Sequence, residues 1–151
     1  MMPGSADLEA RVRKLLAGQA LAVLATQGEA GPHASLVAFA ATDDLCRVVF
    51  ATDRETRKYA NLVARPRVAL LIDDRSHHES DFHKATAATV LGEAHEANGS
   101  DREELLAVYL DAHPHLADFV ASPTCALIVV TVESCSVVTQ FQNVMELVPD
   151  R

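Results

Sequence analysis

Apolar positions change their period several times along the chain, and each change marks an element. Leu8, Val12, Leu15 and Leu16 fall at i, i+4, i+7 and i+8, the stripe of an amphipathic helix expected from near Ser5 to Ala17. Ser5 or Asp7 can cap its start, and Gly18 suits its exit. Leu21 to Thr26 is an apolar run of strand length, Gly28 to Gly31 makes a turn, and His33 to Ala41 returns as the second arm of a hairpin. Asp43 and Asp44 mark the next turn. Arg47 to Thr52 then carries Val48, Val49 and Phe50, β-formers in a strand-length run. Helical spacing resumes with Tyr59, Leu62 and Val63 at i, i+3 and i+4. Thr56 suits the N-cap of this helix over Thr56 to Arg65, and Pro66 stops it.

Val68 to Ile72 reads as a strand ending in Asp73 and Asp74, and residues 75–84 are polar and irregular. Thr86 to Ala97 is the next strand, with Gly92 a candidate bulge. Ser100 to Asp111 is a helix in which Ser100 and Glu103 form a capping box. His113 to Val120 reads as a short helical turn, Cys125 to Thr139 as a long strand rich in Val, Ile and Thr, and Phe141 to Val148 as a last strand. In that last strand Phe141, Met145 and Leu147 form an apolar face. Strands and helices do not alternate regularly, which disfavours a doubly wound parallel sheet. The short links favour a mainly β chain: an antiparallel, partly closed barrel with helices packed outside. Neither a repeat nor a linker divides residues 1–151, so a single domain is expected.

Composition narrows the possible functions. The chain has 151 residues and is 49% hydrophobic, enough for a core without disulfide or metal staples. Its three cysteines are odd in number and form no CxxC; reduced thiols and a cytoplasmic location follow as expectations. Arg11, Arg13 and Lys14 precede Leu15 to Ala25 in the manner of a secretion leader. Asp7, Glu9, Gln19 and the helical stripe favour a first helix instead. A net charge of −8 argues against nucleic acid and against anionic membranes as partners.

The positive charge is not spread evenly. Residues 47–67 hold Arg47, Arg54, Arg57, Lys58, Arg65 and Arg67 against Asp53 and Glu55, a local charge of +4, while the remainder carries −12. The segment Ala51-Thr52-Asp53-Arg54-Glu55-Thr56-Arg57-Lys58 delivers a strand end into a helix N-terminus. Free backbone N–H groups and the helix dipole favour an anion there. Thr56, Arg57 and Lys58 add a hydroxyl and two cations, a set suited to the terminal phosphate of a small ligand. The same residues also fit a solvated basic helix face with Arg–Asp pairs.

Other groupings carry less. His77, His78 and His83 lie near Glu79 and Asp81, a composition that suits zinc or iron, but their spacing matches no closed metal motif and no metal is expected. His113 and His115 flank Pro114 and read as solvated turn residues, and His95 between Glu93 and Glu96 reads as a surface residue. Cys125 and Cys135 read as buried thiols without a basic neighbour to activate them. Ser35 beside His33 lacks the GxSxG context of a nucleophile.

Gly31-Pro32-His33-Ala34-Ser35-Leu36-Val37, then Thr56-Arg57-Lys58, Asn61-Leu62 and Arg65-Pro66-Arg67-Val68-Ala69-Leu70 resemble the pyridoxamine 5′-phosphate oxidase-like flavoproteins, the FMN-binding split barrels. The match is strongest over residues 20–75. The resemblance implies a six- to seven-stranded antiparallel barrel with flanking helices. It also implies a homodimer with FMN at the subunit interface, and an oxidoreductase of unassigned substrate. By the same resemblance Arg57 and Lys58, helped by Thr56, would hold the FMN phosphate, and Thr52 would sit beside the phosphate or ribityl chain. His33, Ser35, Leu36 and Val37 would lie along the flavin, largely through backbone groups. The vitamin oxidases proper end in a Trp-containing segment and an Arg-Leu-x-Pro tail. This chain has no Trp and ends Met145-Glu146-Leu147-Val148-Pro149-Asp150-Arg151, so it is more similar to the small members, including those related to haem-utilisation proteins. A non-enzymatic flavin- or haem-binding sensor module is the alternative, and a deazaflavin would fit the same scaffold.

Overall fold

The computed structural model describes residues 4–140 and 143–150. Helix α1 (Ser5–Gly18) leads into β1 (Leu21–Gly28), β2 (Gly31–Ala41) and β3 (Arg47–Asp53). Then come α2 (Arg57–Ala64), β4 (Arg67–Asp73), the one-turn α3 (Asp81–Lys84) and β5 (Thr86–Glu96). After α4 (Gly99–Ala112), a 3-10 turn at Pro114–Leu116 and α5 (Ala117–Ala121), β6 (Cys125–Thr139) and β7 (Asn143–Leu147) close the chain.

The strands form one antiparallel sheet in the order β3-β2-β1-β4-β5-β6-β7, and a further β3–β6 pairing closes six of them into a barrel with β7 outside the ring. The antiparallel barrel with flanking helices expected from the sequence is therefore found. Alternate residues of each strand fill the interior: Leu24, Phe50, Leu70, Val90 and Ile128 are all buried in one cluster. The apolar stripe of α1 and Leu62 of α2 enter that same cluster. Because α1 precedes β1 and α2 precedes the antiparallel β4, the two helices stopper opposite ends. A second cluster joins Val49, Ala51, Leu127 and Val129 on the barrel's outer surface to Leu105 and Tyr109 of α4. At Gly92 the β5–β6 register shifts, the bulge expected there. A Cβ on Gly92 would collide with the Thr131 carbonyl oxygen and stand 2.9 Å from Val130 Cγ1.

Several local expectations are corrected. Neither Ser5 nor Asp7 caps α1. Gly4 holds the cap position, and its carbonyl accepts from the N–H groups of Asp7 at 3.0 Å and Leu8 at 3.1 Å. The Ser100–Glu103 box does not cap α4 either, because Gly99 at φ +59° turns the chain into the helix one residue early, with Asn98 at the cap and no side-chain cap bond. On α2 Val63 faces solvent, and Asn61 takes the buried position because its Nδ2 donates to Thr26 Oγ1 at 3.1 Å inside the barrel end. His113 is not a solvated turn residue. It is 4% exposed, with Nε2 2.7 Å from the Phe39 carbonyl. Phe141 lies outside the described residues, while Met145 and Leu147 do turn toward the core.

Candidate functional site

β2 and β3 pair only where Phe39–Ala41 meet Val48–Phe50. Continued by its own arithmetic, that register would set Ala38 against Ala51 and Val37 against Thr52. Instead β3 follows β6 along its whole length, and β2 stays with β1. The barrel is split here. Residues 32–37 form one lip, with alternate backbone N–H and C=O groups lacking a strand neighbour on that side. Thr52 and the turn into α2 form the other.

On the first lip, the period of two divides the residues the sequence singled out. His33, Ser35 and Val37 stand opposite Thr26, Leu24 and Ala22, on the inward face. Leu36 stands opposite Val23 on the outward face and is 64% exposed. What the four have in common is the open backbone edge. His33 Nδ1 and Ser35 Oγ are buried without a hydrogen-bond partner among the described residues. Such an atom costs about 1–3 kcal/mol when nothing satisfies it, so the lip has unmet capacity for a polar ligand.

The second lip is tightly built. Thr52, 1% exposed, has Oγ1 3.0 Å from Thr56 Oγ1. The Thr56 hydroxyl donates to the Asp53 carbonyl at 2.8 Å and accepts the Tyr59 N–H at 3.3 Å, which makes Thr56 the N-cap expected from the sequence. The Asp53 carboxylate accepts the Glu55 N–H and the Thr124 hydroxyl, each at 2.8 Å, and these bonds hold its pKa below the ordinary value. The first intrahelical bond runs from the Ala60 N–H to the Thr56 carbonyl at 3.2 Å. The amides of Arg57 and Lys58 precede it and point out of the helix start.

The basic patch sorts into two groups. Arg47 pairs with Glu104 at 2.9 Å, Arg54 with Glu96 at 2.7 Å and Arg67 with Glu133 at 2.8 Å. Tyr59 also donates to Glu96, and the bonds from Arg54 and Tyr59 hold that carboxylate low. Arg57, Lys58 and Arg65 make no ion pair or side-chain hydrogen bond among the described residues. The paired half fits the solvated-face reading in part, with Glu in place of the expected Asp partners, and the unpaired half lies on α2 and at its C-cap, with two of its members at the N-terminus.

Elsewhere, Cys125 and Cys135 are buried, and burial raises both thiols, Cys135 to about 11. His77, His78 and His83 occupy the exposed segment around α3, and no set of three metal-ligating side chains gathers among the described residues. A cavity of about 660 Å³ lies between the end of α1, the β2–β3 turn and α4, beside the paired part of β2. Another of about 440 Å³ includes Leu36, Val23 and Leu71 on the outward sheet face. Sequence reasoning missed Tyr109 and His113, which reach the split from α4. Their i, i+4 spacing was the available signal.

The pattern of the pyridoxamine 5′-phosphate oxidase family matches residues 8–139, from α1 to the end of β6. The chain belongs to that family. It is similar in fold to the haem-binding protein from Mycobacterium smegmatis, with a TM-score of 0.84 and 21% identity over 98% of this chain. It spans only 59% of that protein's length. It is also similar to General Stress Protein 26 from Bacillus anthracis (TM-score 0.69, 18% identity, 93% of this chain and 98% of the other). A putative pyridoxamine 5′-phosphate oxidase from Listeria innocua gives a TM-score of 0.68 at 17% identity, over 87% of this chain and 98% of the other. No curated protein matches the chain. Among the described residues, no helix of this family member is long and apolar enough to cross a membrane.

Proposed function

We propose that this family member binds FMN in the β2–β3 split, between two copies of itself, and acts as a flavin-dependent oxidoreductase. The observation that carries the reading is the pair of unpaired cations at the capped start of α2. Three other cations of the patch are neutralised internally, yet among the described residues Arg57 and Lys58 have no such partner. With two free helix amides they match a phosphate monoester. Thr56 fixes the helix start, and Thr52 braces Thr56 from below. On the other lip, His33 Nδ1 and Ser35 Oγ supply polar atoms that lack partners of their own, which suits the heteroatom-rich edge of a flavin. FMN, when bound, would supply the electron transfer, and the protein would supply binding and orientation.

The second copy is argued from the outward sheet face. Leu36, Val23 and Leu71 form one cross-strand row, and Ala25, Ala69 and Leu91 form the next. Leu36, Leu71 and Leu91 are exposed along these rows, and a continuous apolar surface of this kind marks an interface. Leu36 belongs both to this face and to the lip, so a second copy seated there would also border the cofactor.

The test is titration of the purified protein with FMN, riboflavin and haem, followed by visible absorbance and flavin fluorescence. Saturable FMN binding, tighter than riboflavin, supports the reading; no flavin binding overturns it. A second reading, haem binding on the same barrel, is favoured by the likeness to the Mycobacterium smegmatis protein. A haem Soret shift without flavin binding would select it.

A further inference from the structure

The β2–β3 ladder ends at Phe39 and Phe50, and the place of the next rung is taken by a side chain. Tyr109 of α4 donates its hydroxyl hydrogen to the Ala38 carbonyl at 3.3 Å, and the Ala51 backbone lies near enough to the same hydroxyl to lower its pKa slightly. Ala38 and Ala51 are the two residues that the continued register would join. One helical turn on, His113 donates from Nε2 to the Phe39 carbonyl at 2.7 Å. The two rings lie 5.2 Å apart, and both residues are buried. A direct rung places the amide nitrogen about 2.9 Å from the carbonyl oxygen. An interposed hydroxyl makes two such bonds in series and spreads them to about 5 Å. Burial pushes the Tyr109 hydroxyl up to about 12, so it stays a donor through the neutral range.

We propose that Tyr109, supported by His113, is a positioning residue that opens the β2–β3 split and sets its width. Tyr109 thereby takes over the place that β3 gives up opposite Ala38, and the lip at residues 32–37 is held clear of Thr52. The effect on cofactor binding rests on the FMN reading, while the effect on the strands does not.

The experiment has a protein arm and a cofactor arm. In the parent protein, NMR should show a slowly exchanging Tyr109 hydroxyl proton with an NOE to the Ala51 amide; its absence overturns the inference even if no variant folds. Tyr109→Phe keeps the ring and removes the bridging oxygen. Backbone NOEs between Ala38 and Ala51, absent in the parent, should then appear as the strands close, and unchanged strand contacts overturn the inference. FMN affinity of Tyr109→Phe should fall by about tenfold, the equivalent of one buried hydrogen bond. Closed strands with undiminished FMN affinity would uphold Tyr109 as the wedge and count against the FMN reading alone.

Discussion

Replacing both Arg57 and Lys58 by Ala should separate phosphate recognition from every other contribution to flavin binding. A hydrogen bond to a charged group contributes about 1.5–3 kcal/mol. Arg57 is exposed and Lys58 half-buried, so the lower figure applies to each. Together they give about 3 kcal/mol, or about 100-fold at 1.4 kcal/mol per decade. The two are chain neighbours acting on one group, so their effects overlap, and a loss between about 10-fold and 100-fold is expected. Riboflavin lacks the phosphate, and its affinity should change by less than about twofold. Arg65 is the internal control. Eight residues along a helix rising 1.5 Å each put it about 12 Å from Arg57. That exceeds the screening length of about 8 Å at physiological salt, so Arg65→Ala should cost less than about threefold. Among the described residues neither Arg57 nor Lys58 has an ion-pair partner, so the double variant should unfold within about 0.5 kcal/mol of the parent. Fluorescence titration measures each affinity. Equal losses for FMN and riboflavin, or an Arg65 effect as large as the double variant's, would refute the phosphate assignment.

Other parts of the molecule yield sharper tests of stability and assembly. Gly92→Ala forces a Cβ against the Thr131 carbonyl, and neither backbone can yield freely; urea unfolding should show a loss of at least about 2 kcal/mol, and a neutral result would mean that the bulge can reorganise. Thr56→Ala removes the cap and the Thr52 contact, so a loss of about 1 kcal/mol is expected in the same assay, with no loss counting against the cap. Asp81 is held down at about 2, chiefly by the Ser76 hydroxyl and then by backbone N–H groups of that loop. Its folded value lies below the ordinary 3.8, so its stabilising contribution is present above that value and vanishes as pH falls toward about 2; a carboxyl NMR titration with a midpoint near 4 would contradict this. Leu91→Lys places a charge on the outward apolar face at a partly exposed site; light scattering should report a monomer with an unchanged fold, and an unaltered assembly would remove that face from the interface.

Much of the scaffold is legible along the chain because it rests on near neighbours. The apolar stripe of α1, the Thr56 cap three residues before Tyr59 and the bulge at Gly92 all follow from local period and residue chemistry. So does the concentration of positive charge around one helix start. Which cations stay available there is not a local property. Arg54, Arg47 and Arg67 find their carboxylates 42, 57 and 66 residues away, on β5, α4 and β6, elements that only the tertiary fold brings together. Asn61 displaces Val63 from the buried face because Thr26 waits 35 residues upstream inside the barrel end.

The split itself belongs to the tertiary structure as well. Alternation places His33, Ser35 and Val37 on one face of β2 and Leu36 on the other, but nothing in that alternation says where β2 and β3 part. That point is set by Tyr109 and His113, whose partners lie 71 and 74 residues earlier. Local propensity and charge thus specified the strands, the capped helix and its cations. Closure of the ring brought distant partners within hydrogen-bond reach, and so decided which polar groups are satisfied and which remain free for a ligand.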